Sequence, residues 1–208
     1  MNNGHAALCS SPEWAEHIAT NVLPAAVGPL DLGDEVLEIG PGYGASTRVL
    51  VQAVPRLTAL EVDESLAAAL STSYPGVTVV QGSGDDLPFE AGRFTAVLCF
   101  TMLHHVHTPR MQDDLFGQAR RVLRAGGVFA GSDSIASTGL RGFHHDDVYV
   151  PVDPAGLPSR LEAAGFTDVE VFGARAGVAH LPGSRLSQTG KAQNSLPSGS
   201  VSTVQGRS

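Results

Sequence analysis

Val36-Leu-Glu-Ile-Gly-Pro-Gly-Tyr-Gly44 is the stretch whose reading decides the fold. Residues 36–39 form a short, mostly apolar β-type run, and glycines at 40, 42 and 44 follow in G-x-G-x-G spacing. Residues 45–53 then read as a helix with Val49, Leu50 and Ala53 on one side. Strand, glycine turn and helix in that order form the opening unit of a nucleotide-binding α/β sheet. Glycine lacks a Cβ, so such a turn can take positive φ and let backbone approach a ligand closely. The helix N-terminus behind it offers unpaired N–H groups. The spacing is neither G-x-G-x-x-G nor the phosphate loop, since no lysine follows. It suits a ligand with a ribose and a carboxylate or sulfonium end better than a pyrophosphate. The competing reading is a plain turn in a purely structural sheet. Glu38, Gly40, Gly42 and Gly44 are the candidate cofactor-binding residues of this stretch.

Working outward, residues 56–60 read as a second strand ending at Glu61, which follows Gly44 by 17 residues. An acid at that place in a doubly wound sheet can accept from both ribose hydroxyls. Asp63 or Ser65 better suits the cap of the helix that follows, over residues 64–70. A third strand spans 77–80, and Gln81-Gly-Ser-Gly-Asp-Asp-Leu-Pro-Phe89 places small and acidic residues at the sheet edge where ligands sit. Ser83 and Asp85 could accept from an exocyclic amine there. Asp85 and Asp86 could equally cap a short helix. Residues 94–100 are apolar enough for a strand buried on both faces. They run into Thr101-Met-Leu-His-His-Val-His107. Histidine titrates near neutrality, so His104 and His105 are the candidate catalytic residues, with His107, His144 and His145 behind them. No Cys or Glu nearby completes a known metal spacing, so no metal is expected.

The flanks supply layers. Ser11-Pro12-Glu13 opens a helix expected to reach about Leu23, with Trp14, Ile18 and Val22 on its apolar face and Pro24 just beyond. Thr108-Pro109 opens another, with Met111, Leu115, Ala119 and Val122 inward and Arg120, Arg121 and Arg124 at its C-terminal end, where cations suit the helix dipole. Residues 125–127 end it, and 128–131 form a fifth strand. The polar connection 132–149 is long enough to be a lid or partly disordered. Residues 153–164 read as a helix that Pro158 interrupts early, and 168–172 as a sixth strand. The expected organisation is one α/β domain over 1–180, Rossmann-like and doubly wound. Its mostly parallel sheet carries helices on both faces. A tail over 181–208 is too poor in apolar residues to fold.

Composition narrows the functions. The formal charge is −8, Lys191 is the only lysine, and no basic block occurs, which disfavours nucleic-acid binding through phosphate neutralisation. Cys9 and Cys99 do not make a disulfide framework. No apolar run approaches the ~20 residues of a membrane helix, and no signal-peptide pattern is visible. The expectation is a cytoplasmic protein acting on a small molecule, away from membranes; the oligomeric state is not readable.

Five landmarks stand in order: VLEIGPGYG at 36–44, ALEVD at 59–63, GSGDDLPF at 82–89, FTAVLCFTMLHHV at 94–106 and RVLRAGGVFAGSD at 121–133. Together they resemble the class I S-adenosylmethionine-dependent methyltransferases, specifically the methyltransferase type 11 group, over about residues 11–172. The resemblance implies that Gly40, Gly42 and Gly44 pass beside the methionine part of S-adenosylmethionine and that Glu61 holds the ribose. It also implies that Ser83 and Asp85 flank adenine, and that the run from Thr101 to His105 lies beside the methyl end and the substrate. Three departures stand out. Gly82-Ser83-Gly84 replaces the usual Gly-Asp-Ala, Phe94-Thr95 replaces Phe-Asp, and residues 173–179 are a poor match to the usual closing strand. Either that antiparallel strand is missing or the C-terminus is altered. A nicotinamide-dependent oxidoreductase and a cofactor-binding module without turnover are the alternatives to methyl transfer.

Overall fold

The computed structural model describes residues 1–28, 30–173 and 201–207. Its centre is a seven-stranded sheet of order β3-β2-β1-β4-β5-β7-β6. The strands are β1 (Glu35–Ile39), β2 (Arg56–Glu61), β3 (Thr78–Gln81), β4 (Phe94–Phe100), β5 (Leu123–Ser134), β6 (Thr167–Gly173) and β7 (Val201–Arg207). The first five pair in parallel, and β7 runs antiparallel to both of its neighbours. The order reverses between β1 and β4, so a crevice opens at the C-terminal ends of the central strands.

Alternation along β1 explains the two apolar layers. Leu37 and Ile39 face one side with Leu115, Phe116 and Phe129, whereas Val36 joins Ile18, Val22 and Leu98 on the other. The first layer is covered by α6 (Pro109–Val122) and α8 (Leu157–Ala163), and the second by the N-terminal helices and α4 (Thr47–Ala53). Each fully buried Leu, Ile or Phe contributes about 1.5–3 kcal/mol, so this two-sided burial is what fixes the strand edges that carry the site. Thr95 bonds the turn before β1: its hydroxyl lies 2.7 Å from Leu32 O and accepts from the Glu35 N–H at 3.0 Å. A threonine therefore ties β4 to β1 at the position where the related group has an aspartate.

Four sequence expectations change. The helix opened by Ser11 does not stop before Pro24: α2 (Pro12–His17) continues through a π-helical turn (Ile18–Val22) into α3 (Leu23–Val27). Proline lacks an N–H, and the wider turn lets the chain pass it without an α-type bond at that place. The connection after β5 is ordered, with α7 (Thr138–Phe143) inside it. The helix expected over 153–164 begins only at Leu157. The closing antiparallel strand is present, but in the stretch expected to be a disordered tail. Val201–Arg207 inserts between β5 and β6 and pairs with both; the rest of that tail, 181–200 and Ser208, lies outside the described residues, as does the run 174–179.

Candidate functional site

The glycine turn leaves β1 with φ of +66° at Gly40, +57° at Gly42 and +81° at Gly44. Two of the three glycines are also needed by the protein's own packing. A Cβ on Gly40 would lie 3.1 Å from Met102, and one on Gly44 would lie 3.0 Å from Leu70 and Tyr74. Gly42 differs, because a Cβ there meets no atom within 4 Å. That opening is a cradle which a side chain would fill.

Glu61, at the end of β2, reaches across to this turn. One carboxylate oxygen accepts from the Gly42 N–H at 2.9 Å and the other from the Asp63 N–H at 3.0 Å. The side chain is held rigidly with only 5% exposure, yet each oxygen keeps a lone pair for a further donor. Asp63 caps α5 (Glu64–Ser73) by accepting from the Leu66 N–H, so the two neighbouring acids divide the work. Beside this junction Tyr43 and Val62 are exposed large apolar side chains. An anchored acid, a bare glycine and two apolar walls fit an adenosine-type ligand with vicinal hydroxyls.

Glu38 lies buried beneath the glycine turn. It is 1% exposed, and its two oxygens accept from the Ser46 and Thr47 hydroxyls, the latter at 2.7 Å. Burial pushes its carboxyl up to about 7, against the two hydroxyl bonds, which favour the ionised form. Glu38 thus braces the turn from beneath and positions it. In the loop after β3 the Ser83 hydroxyl donates to the Asp85 carboxylate. Gly84 is a packing requirement, since a Cβ there would lie 2.7 Å from Leu115.

Beyond β4 the chain turns sharply. Thr101 adopts φ +52°, unusual for a threonine, and its N–H donates to Ser132 O at 2.7 Å. A 3₁₀ turn (Leu103–His105) follows. His104 is buried, and both its backbone N–H (3.0 Å) and its Nδ1 bond the Asp133 carboxylate at the end of β5. His105 is half-buried with Nδ1 3.2 Å from Val148 O. Burial, and then the neighbouring histidines His104, His5 and His144, push His105 down to about 3. Gln112 on α6 fastens this region by donating to Leu103 O and Val150 O at 3.0 and 2.9 Å. His107 and His145 are exposed and apart from this arrangement, whereas His144 is buried within it.

Two residues of this region carried weak signals or none. Asp133 had one readable sign, an acid closing an apolar strand. His5, on α1 (Asn3–Cys9), had none: it meets the His105 and His144 rings at centroid distances of 4.9 and 4.5 Å across 100 and 139 residues of chain.

The sheet order, the antiparallel β7 and the glycine–acid junction are those of a Rossmann-like methyltransferase fold. Within it, residues 37–131 match the methyltransferase domain family of the type 11 group. A probable S-adenosylmethionine-dependent methyltransferase of Mycolicibacterium smegmatis is 30% identical over 158 residues, covering 72% of this chain and 59% of that one. A ribosomal RNA small subunit methyltransferase A of Laribacter hongkongensis is 45% identical over 60 residues, or 29% of this chain and 23% of that one. The chain thus spans less than two thirds of the length of these curated relatives. In fold it is similar to a crystallised S-adenosylmethionine-dependent methyltransferase of Thermotoga maritima, described as a possible histamine N-methyltransferase. That likeness has TM-score 0.65 and 20% identity, and covers 98% of each chain.

Proposed function

We propose that this domain transfers the methyl group of S-adenosylmethionine to a small-molecule acceptor. The observation that carries the proposal is the junction of Gly42 and Glu61, where a rigid carboxylate with spare lone pairs faces an opening beside a bare glycine. When bound, the cofactor supplies a methyl group already activated by its sulfonium. The chain's own residues then bind and orient. Glu61 accepts from the ribose hydroxyls, Ser83 and Asp85 stand at the adenine side, and Thr101 to His105 line the acceptor side. His104 is the better placed of the two candidate catalytic histidines. Asp133 holds its ring through Nδ1, which leaves Nε2 for an acceptor proton. His105, held neutral far below its ordinary range, is a weak base by comparison. A small acceptor is supported by the charge of −8 and the missing basic block, and the likeness to the ribosomal RNA enzyme covers only 29% of the chain.

The test is methyl transfer from methyl-labelled cofactor to a panel of small amines, phenols, thiols and carboxylic acids, run beside bulk ribosomal RNA. Label entering one small-molecule class, lost in His104→Ala while cofactor affinity is kept, is the expected result. Label entering RNA alone overturns the acceptor reading, and an active His104→Ala overturns the histidine's role.

A further inference from the structure

Three histidines far apart in sequence meet at one place. His5 comes from α1, His105 from the 3₁₀ turn after β4, and His144 follows the end of α7. One ring nitrogen from each lies within 4.8 Å of the others. We propose that these three imidazoles bind a first-row divalent transition metal ion of the zinc class, with one coordination position left open.

The hydrogen bonds around the rings select the ligating atoms. His105 Nδ1 lies 3.2 Å from Val148 O and His144 Nδ1 lies 2.7 Å from Leu140 O. A carbonyl oxygen can only accept, so both Nδ1 atoms carry the proton and both Nε2 atoms keep a free lone pair. His5 Nδ1 bonds Asp147 Oδ2 at 3.1 Å. The other oxygen of the Asp147 carboxylate pairs with the Met1 amino group at 3.1 Å. All three rings present Nε2, each with an oxygen partner behind it, the arrangement that orients metal-binding histidines and raises their basicity. His144 is 4% exposed, and its Nε2 is buried without a hydrogen-bond partner. A buried lone pair with nothing to accept from is costly, and a cation would satisfy it.

Charge and geometry agree. Asp147, which bonds the His5 ring and also pairs with the Met1 amino group, adds negative charge behind one ligand. Three imidazoles without oxygen ligands suit zinc, copper, nickel or iron and do not suit magnesium or calcium. At the usual Zn–N length of about 2.0–2.1 Å the nitrogens of a tetrahedral site lie roughly 3.3 Å apart, so the three rings, whose ligand atoms lie within 4.8 Å of one another, must draw together on binding. The His104 ring lies 4.1 Å from that of His105, so the open position would be beside the acceptor side of the cleft. The inference does not rest on the methyltransferase reading.

The experiment uses the full chain without an affinity tag, stripped with a chelator and dialysed. Zinc and magnesium are titrated separately by calorimetry, and cobalt is followed by its visible absorption. We expect one zinc per chain, no magnesium heat, a rise in melting temperature, and the intense visible bands of four-coordinate cobalt. His144→Ala and His105→Ala should lose the site. Asp147→Asn, which keeps every ligand, should weaken it about 10- to 100-fold. Each variant is checked for a cooperative melt without metal, so that two ligand variants on different elements stand in for one another if either fails to fold. No saturable zinc uptake by the wild type overturns the proposal. Equal uptake by folded variants also overturns it, since the ion then sits elsewhere.

Discussion

Gly42→Ala separates what the turn needs from what the ligand needs. The residue has φ +57°, and a left-handed conformation costs a non-glycine residue roughly 1–2 kcal/mol. No other cost arises within the protein, because the added methyl meets nothing within 4 Å. For a chain of this size that loss lowers the melting temperature by about 2–8 °C. The opening is where we place the cofactor, and an extra methyl against a tightly fitted partner costs about 1–3 kcal/mol, or roughly 5- to 150-fold in affinity. Gly44→Ala should reverse the balance, since its methyl would press on Leu70 and Tyr74 and destabilise the fold first. The assay is calorimetric titration with S-adenosylhomocysteine beside a thermal melt by circular dichroism. A Gly42→Ala protein that melts only slightly early and binds within twofold of wild type would refute the reasoning.

Three further outcomes follow from the same geometry. Glu61→Ala strips two backbone N–H groups of their acceptor, so it should lower stability by about 2–6 kcal/mol and also weaken cofactor binding at least about tenfold; unchanged affinity in the folded fraction would remove the ribose role. Glu38 titrates near 4.5 when unfolded and near 7 when folded, so the native state holds its proton over that interval. Stability from this group is complete below 4.5 and falls by about 3 kcal/mol as pH rises through 7. Relative to wild type, Glu38→Gln should gain stability across that window in urea titrations, and a flat difference would contradict it. Deleting residues 201–208 opens two strand ladders and should cost several kcal/mol, a melting shift of about 10 °C or more; an unchanged melt would contradict the placement of β7.

The sequence made legible whatever depends on near neighbours. The glycine turn, the Thr108-Pro109 start of α6 and the Asp63 cap of α5 are local patterns with local causes, and each stands as read. The position of Glu61 at the end of β2 was legible because that strand and the glycine turn are close in sequence. Strand β7 was not, because Val-Ser-Thr-Val-Gln-Gly-Arg lacks the large apolar residues that mark a strand. It is held by backbone ladders on both sides, and strand propensity yields readily to such tertiary context. Pro24 misled for the opposite reason, since its local rule was overridden by a π-helical turn. The histidine cluster is the furthest from sequence: His5, His105 and His144 meet only because the fold brings α1, the turn after β4 and the end of α7 to one place.

The most direct measurement is a crystal structure with S-adenosylhomocysteine soaked or grown in. The account predicts both ribose hydroxyls on the Glu61 carboxylate, backbone of Gly42 in contact with the ligand, and adenine between Val62 and the Ser83–Asp85 loop. A ligand bound elsewhere on the chain, or one seated in the cleft without touching Glu61 or Gly42, would contradict it.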